Sequence, residues 1–229
     1  MDMILENITR LREHIYNRAV KAGRSPEEII LVAVSKMVGI NQIKDAREAG
    51  ITTFGESYIQ EARQKIPQFS EEIKWHLVGH LQTNKVKYVL PLFSMIHSVD
   101  SIRLAQEISQ RATQLEKTME ILIQVNIGQE NTKSGVSPEG LPQLLEEVFS
   151  LKGIAVKGLM TMPPYFSDSE NVRPFFKKMR ELRDNLFPSL PDGFSLPHLS
   201  MGISSDYEVA IDEGATILRI GTAIFGERK

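Results

Sequence analysis

The sequence predicts an α/β protein of the single (β/α)8, TIM-type barrel class, carrying one extra helix at its N-terminus. Three observations lead there. Apolar strand-like runs alternate with amphipathic stretches about eight times, the pattern of a parallel sheet whose crossovers are helices. No Pro/Gly/Ser-rich linker interrupts the alternation, so residues 1–229 are expected to form one domain, and 229 residues with 41% hydrophobic positions can bury a single large core. The phosphate fingerprint of an open doubly wound sheet, G-x-G-x-x-G, is missing, as is the P-loop pattern, which favours a closed barrel.

Residues 1–23 read as an amphipathic helix, with Ile4, Ile8, Leu11, Ile15 and Ala19 on one stripe and Glu6, Arg10, Arg12 and Glu13 interleaved. Such a helix is neither a signal peptide nor a spanning segment. It is expected to pack on the barrel of a cytoplasmic protein with no membrane partner. Strands are predicted at 30–36, 52–56, 75–81, 95–100, 120–127, 154–161, 198–201 and 216–221. Helices follow the first seven, at 40–49, 58–65, 84–90, 101–115, 138–149, 172–186 and 205–213. Side chains alternate along a strand, so Val32, Val34 and Lys36 share one face and Leu31, Ala33 and Ser35 the other. If the valines fill the barrel, Lys36 points inward at the carboxyl end of its strand, where barrel active sites lie. By the same rule Ile217, Arg219 and Gly221 face inward and Leu218 and Ile220 outward, which makes Arg219 an interior charge.

Composition removes several functions. A net charge of −2 without a basic stripe argues against nucleic-acid binding. The absence of cysteine excludes disulfides, thiolate metal sites and a cysteine nucleophile. His76 and His80 have the H-x-x-x-H spacing of a zinc pair, but the run reads as a strand with no third ligand nearby, so hydrogen-bonded structural histidines are expected and no metal.

Two features could carry chemistry. A lysine ending a buried apolar strand must be paired or lose its proton, and the freed amine can attack a carbonyl, although snorkelling into solvent is the competing account of Lys36. A phosphate in this fold often sits between the loops after strands seven and eight. Ser200 to Asp206 and Arg219 to Thr222 occupy those loops, with Gly202 and Gly221 allowing close backbone approach and Ser200 and Thr222 adding hydroxyls. Ser204 or Ser205 is expected to cap the helix that follows. Lys133, in the loop Asn131 to Gly135, faces the same end and is expected to be solvated; Lys85 and Lys87 read as a surface helix, Met160 and Met162 as core, and Pro163-Pro164-Tyr165 as a rigid turn.

Read together, Ala33-Val34-Ser35-Lys36, Phe54-Gly55-Glu56, Trp75 to Lys85, His97 to Ser101, Lys157 to Met162 and Ile217 to Gly226 resemble the pyridoxal phosphate homeostasis family (YggS/PROSC), in order over nearly the whole chain. That family resembles the N-terminal barrel of alanine racemase. The resemblance implies pyridoxal 5′-phosphate held as a Schiff base on Lys36, its phosphate on Ser200, Gly221 and Thr222, and Arg219 facing the pyridine nitrogen. One departure stands out: where the family commonly reads Phe-Gly-Glu-Asn-Tyr, this chain has Ser57, which puts a cofactor contact from that position in doubt.

The resemblance further implies a non-catalytic protein, expected as a monomer, that buffers or carries the cofactor and passes it to apo-forms of pyridoxal phosphate enzymes. A pyridoxal-dependent amino-acid racemase is the alternative. Its second acid/base would come, by the same resemblance, from a separate β-domain for which no residues follow the eighth strand. Barrel, lysine and phosphate loops alone would also suit a Schiff-base aldolase acting on a phosphosugar.

Overall fold

The computed structural model describes residues 2–69, 72–130, 132–186, 188 and 190–227. Met1 of the predicted first helix, Asn131 and Lys229 fall outside them. Eight strands, β1 (Ile30–Val34), β2 (Thr53–Glu56), β3 (Lys74–Leu77), β4 (Met95–Val99), β5 (Met119–Val125), β6 (Ile154–Thr161), β7 (His198–Ser200) and β8 (Ile217–Ile220), form a closed parallel barrel in sequence order. The crossovers carry helices α2 (Ile40–Glu48), α3 (Ile59–Lys65), α4 (Val86–Val89), α5 (Ile102–Gln114), α6 (Leu141–Phe149), α7 (Arg173–Leu186) and α8 (Tyr207–Asp212), and α1 (Asp2–Lys21) precedes them.

The period-two reading holds in detail. Val32, Met95, Leu122, Met160 and Ile217 pack as a small cluster of their own inside the barrel, whereas Ala33, Phe54, Leu218 and Ile220 belong to the larger core between sheet and helices. Burying each large aliphatic side chain contributes about 1.5–3 kcal/mol, so two such layers hold the sheet from both faces. β1 pairs with β8 in the register Val32↔Arg219, which sets an interior charge beside an interior valine. The α1 stripe from Ile4 to Ala19 is buried, and α1 packs on α2, α8 and a ninth helix, α9 (Thr222–Phe225). Arg18 pairs with Asp212, which also accepts from Arg173 at 2.9 Å, and Asn7 Nδ2 donates to Ile224 O at 3.0 Å.

Three expectations need correction. α9 follows β8 where no helix was predicted, because four residues are too few to show a helical period. β1 ends at Val34, and Ser35 to Val38 make a turn closed by Val38 N–H to Ser35 O at 3.0 Å, so Lys36 sits on a turn rather than on a strand. β3 stops at Leu77, four residues early; at Gly79 the chain runs so close to Ser57 that an added Cβ would lie 2.3 Å from its carbonyl oxygen. Among the described residues no helix is long and apolar enough to cross a membrane.

Candidate functional site

A cavity of about 450 Å³ opens at the carboxyl ends of the strands, and Lys36, Arg219, Gly221 and Thr222 all line it. A larger cavity, about 710 Å³, lies at the opposite end beside Lys74, His76, Glu120 and His198, the end where barrels do not place their chemistry. Lys36 reaches the upper cavity from the turn after β1, on the face that the alternation of Val32 and Val34 indicated.

Arg219 forms the floor. Its side chain is buried inside the barrel, where Nη1 donates to Ser200 Oγ at 2.6 Å and Nη2 donates to Thr161 O at 2.9 Å and to Met162 Sδ at 2.8 Å. Burial lowers its pKa to about 10, with the Asp206 carboxylate opposing the shift, so it remains a cation and a pure donor at neutral pH.

Ser200 is buried behind Arg219 and does not line the cavity. Its hydroxyl also meets His97 Nδ1 at 3.0 Å, and His97 Nε2 meets His76 Nδ1 at 3.0 Å. Burial depresses both imidazoles: His76 falls to about 4, with Lys74 and His198 adding to the effect, and His97 falls well below its ordinary value, with His76 and Arg219 contributing. Both rings are therefore neutral, with one N–H donor and one acceptor nitrogen each. Arg219 can only donate to Ser200, and each of the two contacts that continue through His97 to His76 carries one proton, its direction set by the ring tautomers.

The Gly221 end of the cavity is built largely from backbone. The N–H groups of Gly221 and Ala223 donate to Ser204 Oγ at 3.3 and 3.2 Å, long for N–H···O bonds. Ser204 thus serves the segment after β8 and does not cap α8, whose cap position holds Asp206; that carboxylate accepts Ile203 N–H at 2.6 Å instead. The sequence placed the Ser200 to Asp206 segment at this end but gave Ser204 or Ser205 only a capping role; both line the cavity. Val78 and Met162 were not assigned to the cavity they line, and Ser57, at the position of the family's usual asparagine, and Tyr165 line it too. Met162 is 44% exposed and bound to Arg219, not core. Lys133 is partly exposed and does not line the cavity; it pairs with Glu130 at 2.7 Å and donates to Pro163 O at 3.0 Å. Among the described residues no group of three or more His, Cys, Asp or Glu is gathered as a metal site.

A cationic floor, the weakly engaged Gly221 N–H with that of Ala223 beside it, hydroxyls and an amine at one cavity suit a phosphorylated carbonyl compound. Known proteins agree in kind. The alanine racemase N-terminal domain family matches residues 1–229. The chain is 45% identical to a pyridoxal phosphate homeostasis protein of Aquifex aeolicus (strain VF5), over 98% of each chain. It is 39% identical to that of Escherichia coli (strain K12), over 100% of this chain and 98% of the other. PipY of Synechococcus elongatus PCC7942, solved with PLP bound, superposes with a TM-score of 0.85 at 32% identity, covering 97% of this chain and 100% of that one. An alanine racemase of Clostridium difficile 630 shares the fold at a TM-score of 0.75 and 18% identity, with this chain spanning 57% of its length.

Proposed function

Because the chain belongs to the pyridoxal phosphate homeostasis protein family, built on the alanine racemase N-terminal domain, we propose that it binds pyridoxal 5′-phosphate at the top of its barrel and serves homeostasis of that cofactor. The observation that carries this reading is one cavity combining the Lys36 amine, the Arg219 guanidinium and the Gly221–Thr222 segment. The residues fit the group. About 450 Å³ is the size of a small-cofactor pocket, and the N–H groups of Gly221 and Ala223, held only by long bonds to Ser204, would gain from a phosphate oxygen.

In this proposal Gly221 and Thr222, with Ser204, hold the phosphate, Ser200 acts through Arg219, and Arg219 donates to the pyridine nitrogen. The aldehyde supplies the electrophile that the Lys36 amine takes as a Schiff base. The protein is proposed to act as one domain and as a monomer in the cytoplasm, buffering the cofactor and handing it to apo-enzymes without turning over amino acids. A guanidinium at the ring nitrogen disfavours ring protonation and weakens the electron sink that carbanion chemistry requires. The tyrosine lining the cavity, Tyr165, is 77% exposed, a poor shelter for a reactive carbanion.

A visible spectrum followed by borohydride reduction and peptide mass spectrometry tests the reading. The expected result is a visible band and a phosphopyridoxyl adduct on Lys36, both absent in Lys36→Ala. An adduct chiefly on Lys85 or Lys133 would overturn the assignment, and sustained turnover of L-alanine would favour the racemase.

A further inference from the structure

The geometry points to Glu56, Glu61 and Lys65 as positioning residues that clamp the turn carrying Lys36 and so aim its amine at an aldehyde; the inference rests on the reading of Lys36 as the covalent lysine. None of the three lines the cavity. Each instead holds a residue next to Lys36 in sequence, or holds another member of the clamp.

The turn needs holding. Met37, the residue after Lys36, adopts φ 60°, a left-handed conformation that L side chains rarely take, and its side chain is 68% exposed, so burial does not compensate. Around it, Met37 N–H donates to Glu61 Oε1 at 2.7 Å, Lys65 Nζ donates to Ser35 O at 2.7 Å, and Ser35 Oγ donates to Glu56 Oε1 at 2.7 Å. Lys65 Nζ also meets Glu56 Oε1 at 3.1 Å and Glu61 Oε1 at 2.5 Å. The ammonium has three N–H donors, and these three acceptors match them one for one. Both residues flanking Lys36 are therefore tied to the end of β2 and to α3, through charged groups rather than through packing.

The chemistry explains why such a device would be kept. A buried ion cluster is a weak source of stability, since desolvation offsets most of its attraction, and here Glu56 is 0% exposed with Oε2 lacking a hydrogen-bond partner. A well-packed apolar cluster would hold the turn against unfolding equally well but without direction. Condensation is directional. The neutral Lys36 amine gives its lone pair to the aldehyde carbon to form the C–N bond, and the carbonyl oxygen leaves as water with both amine protons; release is the reverse, with water added back. A lysine has four rotatable side-chain bonds, so fixing its root in the backbone limits where the nitrogen can sit relative to a cofactor anchored by its phosphate.

The test separates aim from stability. Glu61→Leu removes the acceptor of Met37 N–H, whereas Glu61→Gln keeps an oxygen in that place; the side chain is 23% exposed, which both replacements tolerate. The rate at which the visible band appears on mixing with pyridoxal 5′-phosphate is compared with the affinity for pyridoxine 5′-phosphate, which has ring and phosphate but no aldehyde. For Glu61→Leu the rate falls about tenfold or more while the analogue binds within about twofold of wild type, and Glu61→Gln recovers most of the rate. In the ligand-free protein, deuterium exchange at the Met37 amide accelerates in the leucine variant alone. Lys65→Met lowers the rate in the same way. An unchanged rate in Glu61→Leu, or equal losses of rate and of analogue affinity, would overturn the clamp. Absence of any Lys36 adduct in the wild-type protein would instead overturn the reading of the site, and the clamp with it.

Discussion

Replacing Ser200 by alanine removes one hydroxyl that two buried groups share. Arg219 Nη1 loses its acceptor at 2.6 Å, and His97 Nδ1 loses its partner at 3.0 Å. Both are buried, Arg219 at 4% and His97 at 0% exposure, so water replaces the lost contact poorly. A buried donor or acceptor left unsatisfied costs about 1–3 kcal/mol, more when charged; because Arg219 keeps Thr161 O and Met162 Sδ, the sum for both groups is about 3 kcal/mol. For a chain of this size each kcal/mol moves the unfolding midpoint by roughly 2–4 °C, so it should fall by about 6–12 °C. The assay is thermal unfolding of ligand-free protein, paired with titrations of pyridoxal 5′-phosphate and pyridoxal. The loss should appear without ligand, and the preference for the phosphorylated aldehyde should survive. A stability change under about 0.5 kcal/mol, or collapse of the phosphate preference, would refute the reasoning and return Ser200 to the phosphate itself.

Acid should destabilise the protein through its histidine pair. His76 titrates near 4 when folded and near 6.5 when unfolded, so between those values the unfolded chain binds the extra proton; stability present above about pH 6.5 is lost as pH falls toward 4, by about 3 kcal/mol for His76 alone. His97, also depressed, acts in the same direction, and the slope of wild type minus that of His76→Gln in denaturant titrations at pH 7 and 5 isolates the effect; equal slopes would refute it. Gly202→Ala should destabilise by about 3 kcal/mol, since φ there is 94° and a Cβ would lie 2.6 Å from Ala210 Cβ; a denaturation midpoint within error of wild type would show that the loop gives way.

Much of the barrel was legible because its two packing environments are separated at period two: Val32 and Ile217 pack inside and Ala33 and Leu218 outside, as alternation requires. Arg219 could be placed by the same rule. What escaped the sequence depends on register and on turns without a turn residue. Nothing in Ser35-Lys36-Met37-Val38 signals a left-handed position, because the residue that occupies it is methionine and not glycine or asparagine. Ser200 shows a hydroxyl near the right loop, but only the pairing of β7 with β8 brings it against the guanidinium rather than the cavity. Nothing in the predicted helix 58–65 marks its last residue, Lys65, as buried; that burial follows from a partner, Glu56, on another element.

The direction of the interior hydrogen bonds bears on how the site can hold and release a ligand. Arg219 donates inward to Ser200, whose hydroxyl continues into a buried chain through His97 to His76. A guanidinium has no acceptor, so the floor it forms under the cavity offers protons and takes none. For a ligand whose ring nitrogen meets Arg219, the nitrogen stays an unprotonated acceptor, and the ring withdraws electrons from its carbonyl carbon less strongly than a protonated ring would. Burial opposes protonating either histidine, and Arg219 adds to this at His97, so the arrangement persists across the neutral range. Exchange of one amine for another at the aldehyde carbon needs no carbanion and is unaffected by that weakening, whereas breaking a bond at an amino-acid α-carbon depends on it. In the proposed binding mode, a donor-only floor would leave amine exchange at the aldehyde unhindered and would give carbanion chemistry less support than a protonated ring.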